Sequence, residues 1–270
     1  MNPYIELLRP NVCLLTALGL VVGAIVAGTA SLTPIFAYAI LAAFVICGAG
    51  DAINDYFDRN IDKVNAPRRP IPSCRVTAQS TLAYFIVLSV VGITLAYFVS
   101  TTFLAIAAFN WLIAAVYPWR AKKIPVVKNI FVAYLAASSF IAAGFVSGIT
   151  LPLILIFLIA IAFIVTLGRE IVKDIEDITG DLKAGIKTLP TLIGEKPAKA
   201  IAYILLAIAC ITLLLPLYFQ LLSYYYLAGA IPAIAICAYS LRLNAHKAQK
   251  LLKLAMFLAM IGFLIGALVR

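Results

Sequence analysis

Nine of the eleven acidic residues in this 270-residue chain fall in two short stretches, GDAINDYFDRNID at 50–62 and GREIVKDIEDITGD at 168–181. A shift of 119 residues lays four acids of one on four of the other: Asp51 on Glu170, Asp55 on Asp174, Asp58 on Asp177 and Asp62 on Asp181. Arg68 falls on Lys187 under the same shift. The common spacing, acid-x₃-acid-x₂-acid-x₃-acid, keeps all four acids in a narrow arc of one helical face at about 100° per residue, with Asn54 at its edge. Like charges four apart destabilise a helix, and the penalty grows at a membrane border, where water screens less. A solvated acidic loop requires neither the phasing nor the duplicate. Hard divalent cations with oxygen ligands would relieve the repulsion: Ca²⁺ in a structural site, or Mg²⁺ where a phosphate completes the coordination shell.

Cations follow each cluster. Arg59, Lys63, Arg68, Arg69 and Arg75 come after the first, in RNIDKVNAPRRPIPSCR, where three prolines break the helix and stiffen the loop. Lys183 and Lys187 follow the second, and YPWRAKKIPVVKN adds Arg120, Lys122, Lys123 and Lys128. Carboxylates interleaved with cations on one face suit a diphosphate. Metal ions bridge the acids to phosphate oxygens, and Arg and Lys neutralise the remainder. The chain has neither a Walker lysine loop nor a Rossmann glycine pattern, so nucleotide chemistry has no support. The single histidine, His246, stands in a basic connection and reads as a surface residue far from both clusters. The five cysteines are scattered without a C-x-x-C pair, which argues against a disulfide framework or zinc site.

The elements that carry these motifs belong in a bilayer. Hydrophobic residues make up 64% of the chain and charged ones 12%, against about half and a quarter in soluble domains. Apolar runs of about 20 residues, the length of a membrane span, predict helices over 11–29, 34–58, 77–98, 101–118, 126–147, 151–177, 197–219, 222–242 and 248–269. The N-terminal MNPYIELLRPN carries Glu6 and lacks a basic stretch, so the first run reads as a retained span rather than a cleaved signal. The connections at 30–33, 99–102, 148–152 and 220–224 hold no charge, and 20 of the 21 Lys and Arg residues (all but Arg270) lie on the alternate side. By the positive-inside rule the N-terminus and every charged connection face the cytoplasm, with the C-terminus outside. That topology accounts for most of the +10 net charge, so no nucleic-acid partner is expected. The same basic face would also attract a polyanionic substrate. The 119-residue offset further predicts two parallel four-helix halves plus a ninth helix, with the clusters facing a central cavity.

Asn54-Asp55-Tyr56-Phe57-Asp58-Arg59-Asn60-Ile61-Asp62 matches the N-D-x-x-D-x-x-x-D motif of the UbiA-type intramembrane prenyltransferase superfamily. Asp174 to Asp181, followed by Lys183-Ala184-Gly185-Ile186-Lys187-Thr188, resembles its second aspartate-rich motif. The resemblance implies one all-α transmembrane prenyltransferase domain over 1–270, nine spans, and motifs after the second and sixth. It implies Mg²⁺ held by Asn54, Asp58 and Asp62 together with Asp174, Asp177 and Asp181. Asp55 joins that set through its place in the phased stripe. Within the superfamily, GREIVKDIEDITGDLKAGIKTLP is most similar to the archaeal branch that joins a second geranylgeranyl chain to geranylgeranylglyceryl phosphate, an ether-lipid precursor. Branches acting on aromatic acceptors such as 4-hydroxybenzoate share much of the pattern.

On that resemblance the donor is a prenyl diphosphate, ionised by Mg²⁺ in a water-free pocket, and the acceptor is a phosphorylated isoprenoid glycerol. Arg59, Arg68, Arg69, Lys183 and Lys187 would bind phosphate, with the acceptor phosphate falling to Lys122, Lys123 or the Arg68–Arg69 pair. Trp111, Tyr117 or Tyr134 would face the allylic cation or simply pack. The rival reading is a divalent-cation transporter, since intramembrane acids also mark ion paths. A conduit should carry polar groups through the far half of the membrane, where the connections are uncharged.

Overall fold

The computed structural model describes residues 2–120, 124–183 and 185–269, without the side chains of Val64, Asn65 and Lys183. Its regular structure there is helical: α1 (Pro3–Leu8), α2 (Pro10–Ala27), α3 (Pro34–Asn65), α4 (Ala78–Tyr97), α5 (Thr101–Trp119), α6 (Val127–Ala143), α7 (Leu153–Lys183), α8 (Leu189–Ile193), α9 (Glu195–Tyr218), α10 (Leu227–Ser240) and α11 (Ala245–Leu268). Each of the nine predicted runs is a helix. Seven are long and apolar enough to cross a membrane, while Val127–Ala143 and Tyr224–Ser240 are shorter apolar helices. The short helices α1 and α8 are additions, since six and five residues are too few to leave a periodic signal.

Helix starts follow local chemistry. Thr33 Oγ1 accepts from the Phe36 amide with Pro34 in the first turn, and Ser100 Oγ accepts from the Phe103 amide at 3.1 Å. Thr77 and Ser80 form a capping box at the start of α4.

The largest departure from the expected boundaries concerns the two motif helices. The predicted helix 34–58 runs on to Asn65, and 151–177 runs on to Lys183. Phased acids, stabilised by cations, let the helix continue past the apolar run that announces it. The 32 residues of α3 span about 48 Å at 1.5 Å each, well beyond a hydrocarbon core of about 30 Å. Pro34 and Leu153, the first residues of α3 and α7, are themselves 119 apart. The repeat therefore includes where each helix begins as well as where its acids stand.

The chain divides into two compact units, Met1–Ala24, Thr29–Lys122 and Ile141–Thr150 in one, Ile25–Gly28, Lys123–Phe140 and Leu151–Arg270 in the other. In the first, α3 packs against α4 and α5 around small residues, with Ala39, Ala42, Ala96, Ala107 and Ala143 in its core beside Leu20, Ile46 and Phe103. In the second, Ala198, Ala202, Leu206 and Ala209 of α9 meet Val165, Val172 and Ile175 of α7. Lipid is as apolar as leucine, so close backbone approach and dispersion hold such helices together, and small residues permit it. At the α10–α11 crossing two backbones approach closely. A Cβ built on Gly229 would stand 2.5 Å from the backbone of Gly262.

Candidate active site

On α3 the four acids occupy one face as the spacing predicts, and Asp55, Asp58 and Asp62 are buried. Arg9, at the end of α1, reaches this face. Its guanidinium bonds Asp51 Oδ1 at 3.1 Å and makes a short contact with Asp55 Oδ1. Arg9 sits at φ 49° in a left-handed helix cap, a conformation that glycine adopts at less cost. An arginine there places its guanidinium against the two carboxylates. Arg69 Nη1 donates to Asp62 Oδ2 at 2.7 Å and lies 3.5 Å from Asp55 Oδ1. Burial pushes the Arg69 pKa down, but the Asp62 hydrogen bond and the Asp55 charge outweigh it, so the net direction is upward and the group stays cationic. Asn54 Nδ2 donates to Asp58 Oδ2 at 3.1 Å.

On α7 the second stripe is less enclosed. Asp174 is buried, Asp181 half-buried and Asp177 exposed. The first turn of α6 supplies the partners of Asp174: Lys128 Nζ at 2.6 Å from Oδ1, and Asn129 Nδ2 donating to Oδ2 at 3.0 Å. Glu170 pairs with its neighbour Arg169. Among the described residues, Asn129 Oδ1 is a buried acceptor without a donor.

The remaining predicted residues scatter. Arg59 donates to its own helix at Tyr56 O, 2.6 Å away, and lies over the Tyr56 ring. Arg68 and Lys187 are exposed. Lys122, Lys123 and Arg270 lie outside the described residues, as does the Lys183 side chain. Trp111 donates to Ser89 Oγ at 2.8 Å and stacks on Phe85, so packing accounts for it. His246 corrects the reading from spacing. Far from standing apart from both clusters, its Nδ1 lies 2.5 Å from Glu176 Oε1, beside Asp177 in the second stretch. The α11 start brings together residues 70 apart in sequence, a distance no periodicity records.

The donor set fits a hard cation. Every group on the two stripes is an oxygen ligand or an amide, several are buried, and guanidinium or ammonium groups already hold positive charge against them. The orphaned Asn129 Oδ1 beside Asp174 is an acceptor that a cation or its water would satisfy.

The model of the UbiA prenyltransferase family matches residues 14–261. The chain belongs to the UbiA prenyltransferase family. Among UbiA relatives it is 38% identical over 274 residues to the digeranylgeranylglyceryl phosphate synthase of Methanopyrus kandleri, covering 99% of this chain and 100% of that one. It is also 38% identical to the synthase of the same name from Thermococcus kodakarensis, over 99% and 98% of the two chains. A solved structure of digeranylgeranylglyceryl phosphate synthase superposes with a TM-score of 0.85 at 29% identity, covering 99% and 98%. A UbiA homologue from Archaeoglobus fulgidus bound to GPP and Mg²⁺ shares the fold with a TM-score of 0.74 at 22% identity, over 97% and 98%. This UbiA protein is thus a multi-pass membrane protein of the prenyltransferase fold.

Three partners of the clustered acids escape sequence reading: Arg9 on the α3 stripe, and Asn129 and Lys128 in their contacts with Asp174 on α7. The only prior signal is charge balance, since clustered carboxylates at a membrane border require nearby cations.

Proposed function

We propose that the chain transfers a geranylgeranyl group from geranylgeranyl diphosphate to the hydroxyl of geranylgeranylglyceryl phosphate, giving digeranylgeranylglyceryl phosphate for ether-lipid synthesis. The observation that carries this reading is full-length identity of 38% to relatives of that name in a chain that keeps both phased carboxylate clusters. Binding of GPP with Mg²⁺ by an A. fulgidus homologue of the same fold supports the donor class and the metal.

Asn54, Asp55, Asp58 and Asp62 on α3, and Asp174, Asp177 and Asp181 on α7, would hold the Mg²⁺. When bound, the metal neutralises the diphosphate and makes it a better leaving group. Arg69 and Lys128, each already seated on a cluster carboxylate, hold the acids in place and carry positive charge that a phosphate oxygen can share. The allylic C–O bond breaks, the acceptor hydroxyl oxygen forms the new ether bond, and its proton leaves to diphosphate or water. An oxygen attacking a carbocation requires little activation, so no side chain is assigned as a dedicated base. Apolar helices around the reacting carbon exclude the water that would otherwise yield a prenyl alcohol. Arg68, Lys122 and Lys123 are assigned to the acceptor phosphate, and Arg59, Lys183 and Lys187 to the anionic surroundings. The clusters, the N-terminus and the charged connections face the cytoplasm, and the C-terminus lies outside.

An acceptor panel tests the assignment. With purified protein, transfer to geranylgeranylglyceryl phosphate should exceed transfer to the dephosphorylated alcohol by at least about tenfold, given the strength of charge-assisted phosphate contacts. Equal rates with both, or faster transfer to 4-hydroxybenzoate, would place the chain in another branch of the family.

A further inference from the structure

Beside the oxygen-rich stripe of α3 the structure assembles a group of different chemistry. Cys13 on α2 is fully buried. Cys47 and Asp51 stand four residues apart on α3, one above the other on a single face. One ligand atom from each of Cys13, Cys47 and Asp51 lies within 4.8 Å of the others. The sequence offers no C-x-x-C spacing to announce this, because the two thiols come from separate helices.

A second observation points to a cation. Asp51 Oδ1 is held by Arg9 at 3.1 Å, but Oδ2 is buried without a hydrogen-bond donor among the described residues. A buried carboxylate oxygen left unpaired carries a desolvation penalty. The Asp51 carboxylate has an oxygen within 4.8 Å of both sulfurs, and neither thiol is a strong donor. The Cys13 thiol is directed at Leu8 O, 3.0 Å away, and Thr16 Oγ1 lies 3.4 Å from Cys47 Sγ.

We propose that Cys13, Cys47 and Asp51 form a three-ligand site for a soft divalent cation of the Zn²⁺ or Cd²⁺ type, which shares Asp51 with the α3 stripe but takes its other two ligands from thiols. Tetrahedral coordination with Zn–S of about 2.3 Å and Zn–O of about 2.0 Å separates ligand atoms by about 3.5–3.8 Å. Side-chain rotation of under about 1 Å closes the observed spacing to that range. Two thiol protons leave to solvent as the cation binds, one from each cysteine. Two thiolates and the Asp51 carboxylate face a divalent cation, and Arg9, shared between Asp51 and Asp55, offsets part of the remaining negative charge. Thiolate ligands select zinc-type cations over Mg²⁺. The site ties α2 to α3 one turn before Asp55. The inference stands on this geometry alone and does not depend on the prenyl-transfer reading.

The test is a Cd²⁺ titration of the purified full chain with Mg²⁺ in excess to occupy the oxygen ligands, read by the thiolate-to-metal charge-transfer band and by bound metal per chain. About one Cd²⁺ should bind with the band, and Zn²⁺ should compete it away. Cys13→Ser with Cys47→Ser should abolish the band, whereas Cys210→Ser with Cys237→Ser should leave it. Asp51→Asn should weaken binding roughly tenfold or more while the band survives at saturation. Unchanged Cd²⁺ binding in the Cys13/Cys47 variant, or loss of the band only in the Cys210/Cys237 variant, overturns the proposal. Should the first variant fail to fold, alkylation of the wild-type chain decides. Zn²⁺ but not Mg²⁺ should slow alkylation of the half-buried Cys47 while exposed Cys74 reacts freely, and equal labelling of Cys47 with either ion overturns the site.

Discussion

Arg9→Gln removes a charge that two carboxylates share while keeping a residue that meets the same backbone cost at φ 49°. Arg9 is 32% exposed and its partner Asp55 only 5%, so the pair is intermediate between a surface bridge and a buried one. At an effective dielectric near 20, a unit pair 3–4 Å apart is worth ~4–5 kcal/mol before desolvation. Surface pairs retain about 0–1 kcal/mol and broken buried pairs cost 3–5 kcal/mol, which places the expected loss at about 1–3 kcal/mol. The sign of the metal response separates two explanations. If Mg²⁺ and Arg9 compete for the same carboxylates, the loss appears chiefly without metal. Apparent Mg²⁺ affinity should then rise, by about 5–150-fold for a coupling of that size. The assay is thermal unfolding of wild type and variant in detergent, in EDTA and across a Mg²⁺ series. A variant whose Tm deficit is the same with and without Mg²⁺, or whose Mg²⁺ affinity falls, refutes the competition and leaves Arg9 as a packing contact.

Asp58→Asn and Asp181→Asn should each leave the helical protein folded yet lower turnover by at least about 10²-fold, as expected for groups that position charge-stabilising ligands; near-wild-type turnover in a folded variant of either would remove the metal role of that cluster. Gly229→Ala should lower Tm through its clash with the Gly262 backbone, at a cost of about 1–3 kcal/mol or more, and an unchanged melting curve would contradict the close α10–α11 crossing. Arg75 bonds Glu6 at 2.7 Å and, through that hydrogen bond, holds the Glu6 carboxyl below its ordinary value. A depressed carboxylate pKa stabilises the fold above the unfolded value of about 4.3 and ceases to do so as pH falls through the folded one. Wild type and Arg75→Ala should therefore differ slightly at neutral pH and low salt and converge in acid. A gap that widens as pH falls would reverse the assignment.

Much of the site was legible before any contact was known. Apolar runs located nine of the eleven α-helices among the described residues, and the 4-3-4 spacing of acids located both stripes because helical phase is a local property. The 119-residue offset extended even to the first residues of α3 and α7. What spacing could not supply were partners from other elements. Arg9 reaches Asp55 across 46 residues and Lys128 reaches Asp174 from another helix. Those meetings depend on the α1 turn and on the entry into α6, where Val126 adopts φ 67°, a conformation strained for a β-branched residue. Helix ends were also misjudged, because hydropathy stops at the membrane border while α3 and α7 continue as charged helices. The Cys13–Cys47 meeting left no trace in spacing, since each thiol alone reads as a small apolar filler.

The central claim is Mg²⁺-dependent prenyl transfer to a phosphorylated ether-lipid precursor. Its most direct measurement is a single-turnover reaction of purified protein with labelled geranylgeranyl diphosphate and geranylgeranylglyceryl phosphate, with product identified by mass spectrometry. With Mg²⁺ the label should appear in digeranylgeranylglyceryl phosphate with release of one diphosphate per product, and EDTA should abolish it. Label remaining in the donor, label found in geranylgeraniol alone, or transfer that persists undiminished in EDTA would contradict the claim.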